Sequence, residues 1–124
     1  MAKGYALISD DGQVSPLVCP TAVILQNNQT QNYILEISDL SKLITCTKAT
    51  QFVLGIPPNL TVAFPIGSTM KFLQGGVGRV VFAAVAPAIL LTPGGRNRTA
   101  EQFAVCDLIK VATDIWVLYG NISL

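Results

Sequence analysis

Short runs of aliphatic, β-branched and aromatic residues are broken about every ten positions by glycine, proline or asparagine, and no long window shows a helical period. This rhythm predicts an all-β fold: a compact antiparallel β-sandwich or β-barrel. Strands are expected at 22–26, 33–36, 43–47, 52–55, 60–64, 69–73, 79–84, 88–91, 103–111 and 115–119, with Asn27-Asn28-Gln29 as one of the turns. An earlier run at 5–9 meets Asp10-Asp11-Gly12, and Pro16 and Pro20 flank Leu17-Val18-Cys19. Proline cannot donate to a ladder, so residues 1–20 are expected to form an extended N-terminal arm and 21–124 the β-rich domain.

The last two runs are apolar on both pleat faces. Ile115, Val117 and Tyr119 share one side and Trp116 and Leu118 the other. A sheet with one wet face alternates more cleanly, so a second layer or a second subunit is expected to cover the other side. Phe103, Trp116, Val117 and Leu118 are therefore the candidates for core or oligomer interface, with Trp116 expected to act as an anchor of association.

Composition sharpens that expectation. Hydrophobic residues make up 51% of the 124 positions and charged residues 12%, about half the roughly 25% typical of globular domains. A chain of this size cannot bury so much apolar surface alone, which predicts self-association or a partner. A formal charge of +1 argues against a nucleic-acid groove. The most apolar run, 80–91, contains Pro87 and falls short of the roughly 20 residues a membrane helix needs, so no membrane insertion is expected. The acidic residues near the N-terminus do not read as a secretory leader, which points to synthesis in a cytoplasm. Cys19, Cys46 and Cys106 have no metal-site spacing and read as small buried hydrophobes.

Chemistry is sparse. The chain contains no histidine, which removes the Ser-His-Asp type of triad and the commonest metal ligand. Glu101 and Asp107 are the carboxylates best placed for catalysis, but nothing marks a cleft around them, and no enzyme activity and no cofactor are expected. Gly75-Gly76-Val77-Gly78 lacks the Lys-Ser/Thr and the helix of a phosphate-binding loop and reads as a hairpin turn. Arg96, Asn97 and Arg98 form a candidate exposed binding loop.

The order of elements carries a resemblance. Pro58-Asn59, Phe64-Pro65-Ile66-Gly67, the turn from Gln74 to Gly78, Val80-Val81-Phe82, Gly94-Gly95, Leu108-Ile109-Lys110 and Asp114 to Leu118 follow one another as in a β-rich module of bacteriophage tail fibres, spikes and small capsid decoration proteins. The chain resembles the last group, the cement proteins, because it carries no shaft segment. The resemblance implies a homotrimer on the outer capsid surface of a virion, with the major capsid protein as partner. The arm, through Tyr5, Leu7, Leu17 and Val18, would contact the shell. The alternative it leaves open is the receptor-binding head of a fibre or spike that recognises a host surface glycan.

Overall fold

The computed structural model describes residues 23–124. The run at 5–9, Cys19, and Tyr5, Leu7, Leu17 and Val18 of the expected arm lie outside the described residues. The strands are β1 (Gln26–Gln29), β2 (Tyr33–Ile34), β3 (Leu43–Cys46), β4 (Phe52–Ile56), β5 (Thr69–Gln74), β6 (Val80–Ala84), β7 (Ile89–Leu91), β8 (Arg98–Thr99), β9 (Val105–Ala112), β10 (Ile115–Gly120) and β11 (Ile122–Ser123).

Two sheets pack face to face. The first has the order β1-β3-β5-β9-β10-β7 and the second β11-β8-β6-β4-β2. The all-β sandwich holds, but its sheets are mixed rather than antiparallel. Strands β1, β3 and β5 run parallel in the first sheet, and β2, β4 and β6 run parallel in the second. From β1 to β6 the chain changes sheet at every step, so each pair of strands forms one coil that stacks on the coil before it. The direction then reverses: β9 lies antiparallel on β5 and β8 on β6. A hairpin adds β10, β7 pairs parallel with β10 at the far edge, and β11 closes against β8.

This winding explains the glycine-rich run. Gly75 to Gly78 is a corner between sheets, not a hairpin within one, and it rests directly on the corner of the preceding coil. Gly75 N donates to Cys46 O at 2.9 Å and Gly78 N to Lys48 O at 2.9 Å, so these two amides are spent on the backbone below. A Cβ at Gly76 would stand 2.5 Å from Lys48 O, and one at Gly78 only 1.7 Å from Thr50 O. Glycine is there because two main chains touch.

Two other expectations change. Residues 27–29 belong to edge strand β1 rather than to a turn. The run at 60–64 forms no strand: Thr61 N and Val62 N both donate to Pro58 O at 3.0 Å, folding the segment into a tight turn.

The core lies between the sheets and is built by alternation: Ile44, Phe52, Leu54, Phe72, Phe82 and Leu108 all point inward. Phe72 and Phe82 meet edge to face across the two sheets at 5.1 Å. The first coil closes one end of this core with polar groups. Buried Asp39 accepts from Asn27 Nδ2 at 2.7 Å, Tyr33 OH at 2.7 Å and Glu36 N at 2.8 Å, which satisfies the carboxylate without a cation. Gln74 of β5 and Thr99 of β8 hydrogen-bond across the interior and link the two sheets.

Candidate association surface

The parity of β9 and β10 sorts the candidate residues. Trp116 is 1% exposed, Leu118 is fully buried, and both face the core. Trp116 packs edge to face on Phe64 at 5.4 Å, and Lys110 Nζ stands 5.7 Å from its ring centroid. These two residues are therefore core, one of the two placements expected for them, and Trp116 presents no exposed ring with which to anchor a partner. Lys110 is itself 2% exposed. Its ammonium donates to Asn59 Oδ1 at 2.7 Å and Phe64 O at 2.8 Å, so it ties the 57–64 segment to β9.

Val117 lies on the other side of the sheet. Together with Ile115 and Tyr119 it joins Ile109 and Val111 of β9 and Leu91 of β7 in an outward apolar face. No described element covers that face. At its β5 margin Lys71 Nζ meets Asp107 Oδ2 at 2.9 Å, and the carboxylate raises the pKa of the lysine. Asp107 thus points outward beside a cation.

Phe103 is neither core nor strand. It sits on the corner between β8 and β9, 69% exposed.

The basic loop divides. Arg96 is exposed, and its Nη1 donates to Pro93 O at 3.2 Å. Asn97 is half-buried, with its carbonyl accepting from Phe82 N at 3.0 Å. Arg98 is part of β8, opposite Val81 and Ser123. Of the three, only Arg96 is a fully exposed loop side chain. The two carboxylates singled out for catalysis lie on different parts of the surface, Glu101 on an exposed corner and Asp107 in the ion pair on the first sheet.

Cys46 and Cys106 are free and buried, as small hydrophobes. Burial pushes both thiols up to about 12. Among the described residues no group of three or more cysteine, aspartate or glutamate side chains could share a metal ion, and no helix is long and apolar enough to cross a membrane. No protein-family model, curated protein or solved structure matches the chain.

Proposed function

We propose that this chain is a non-enzymatic virion structural protein that binds the outer surface of a phage capsid as a trimer and stabilises the shell. The observation that carries the reading is the outward face of the first sheet, an apolar surface over β7, β9 and β10 bordered by the Lys71–Asp107 ion pair. The buried polar groups of the fold have structural duties: Asp39 closes the first coil, Gln74 and Thr99 join the sheets, and Lys110 holds a loop. The phage setting and the count of three come from the resemblance of the ordered elements between Pro58 and Leu118.

The mechanism is linkage. A subunit that binds the assembled shell and not its dissociated parts shifts the equilibrium towards assembly, by about 2.7 kcal/mol per site at a free concentration of 100 Kd. The test is co-sedimentation of the purified protein with expanded capsids stripped of decoration, followed by imaging of the pellet. Saturable occupancy at repeated lattice positions is expected. Failure to bind capsids, with adherence to host glycans instead, moves the protein to the receptor-binding class.

A further inference from the structure

Two unpartnered features of the surface fit each other. The first is Phe103, whose φ of 70° is a left-handed conformation that is costly for a bulky residue. The surrounding chain fixes it there. Phe103 N donates to Gln74 O at 2.7 Å, Ala104 N to Glu101 O at 3.1 Å, and Gln102 Nε2 to Gly75 O at 3.2 Å. The monomer gains no burial from holding a strained aromatic ring in water, whereas a binding anchor gains from being pre-organised.

The second feature is a groove of about 400 Å³ on the outer side of the second sheet, walled by Ile34, Val53 and Val85 and floored by Gly55 and Ala83. The groove is open to solvent and lined almost entirely by apolar side chains, so it offers a phenyl ring an apolar seat. Phe103 is hydrogen-bonded to β5 of the first sheet, while the groove opens on the far side of the second. The ring that enters must come from another molecule.

Charge fits as well. Glu101, two residues before Phe103, is exposed and has no ion-pair partner among the described residues. Lys48 stands at one end of the groove, its Nζ donating at 3.0 Å to Oδ1 of Asn32, which lines that groove. No described carboxylate lies within ion-pair distance of Lys48. The projecting corner carries the acid, and the base stands beside the groove.

We propose that Phe103 of one copy seats in the groove of a second copy, with Glu101 pairing to the Lys48 of that copy. The contact is head to tail, because each copy offers the ring at one place and the groove at another, and such contacts close into rings when the rotation allows. This inference rests on the self-association within the proposed function and names the surface through which copies meet. The outward face of the first sheet is left for the shell.

The test is sedimentation velocity on the purified full chain without capsids. Wild type assembles, while Phe103→Ala, which removes the ring, and Ala83→Phe, which fills the groove, each weaken association at least about 30-fold. Both positions are exposed, so the thermal unfolding of each monomer stays close to that of a wild-type monomer. An equal mixture of the two variants forms one-to-one pairs and nothing larger, because one supplies an intact groove and the other an intact ring. Glu101→Lys weakens assembly and Lys48→Glu in the same chain restores it. A monomeric wild type, a Phe103→Ala variant that assembles normally, or a mixture that fails to pair would overturn the contact. Open chains in place of trimers support the contact and contradict the count of three; loss of capsid binding with the contact intact contradicts only the shell reading.

Discussion

Cys46 and Cys106 illustrate how much of this surface-rich chain is settled by burial of single side chains. Their thiols hold protons more tightly folded than unfolded, with values of about 12 against an ordinary 9.0. Their contribution to stability is therefore complete below pH 9.0 and is lost as the pH rises towards about 12. Tyr33 acts in the same direction, raised first by burial and then by its bond to Asp39. Denaturant melts are expected to show a midpoint that falls above pH 9.0, and site-resolved alkylation at pH 8 to label Cys46 and Cys106 only on unfolding; rapid labelling of the folded chain would contradict their placement. Trp116→Ala is expected to cost about 3–5 kcal/mol of stability, read from the same melts. A variant that melts like wild type but fails to assemble would return Trp116 to an interface.

At the scale of elements, the stacked corners make the sharpest prediction. Gly78→Ala is expected to destabilise the fold by about 3 kcal/mol or more, because the added methyl meets backbone rather than a movable side chain. A tolerated alanine would show that the corner stands clear of Thr50. Most strands were legible in the sequence, since alternation within 43–46, 52–56 and 69–74 records a buried face directly. Pairing was not, because a period of two says which side of a strand is wet and nothing about which sheet it joins. The run at Gly75 to Gly78 therefore reads locally as a hairpin turn, and only the sheet assignment of β5 and β6 makes it a corner. The polar 26–29 segment was missed as a strand for a related reason: β1 is an edge strand of the polar end coil, so the apolar signal is absent there. At the site, the split of β10 into two apolar faces was readable, but which face is core depends on the position of the second sheet, and that assignment moved Trp116 inward. The groove over Gly55 and Ala83 joins three strands far apart in sequence and left no local pattern to read.

For the whole molecule, three short coils and a reversed set of strands leave an apolar face on each side of the sandwich, which accounts for a composition that a lone domain of this size would not be expected to show. On this account the second sheet and the Phe103 corner serve contacts between copies, and the first sheet faces the shell. Face-directed charge tests that division. Leu91 and Val117 lie opposite each other on the outward face, so Leu91→Lys with Val117→Lys places two ammonium groups there without entering the core. The decisive measurement is the affinity of that double variant for stripped, expanded capsids, beside its sedimentation in the absence of capsids. The account predicts at least about 900-fold weaker capsid binding, two losses of about 2 kcal/mol compounded, with self-association unchanged. Wild-type capsid affinity in the double variant would contradict the assignment of the first sheet to the shell.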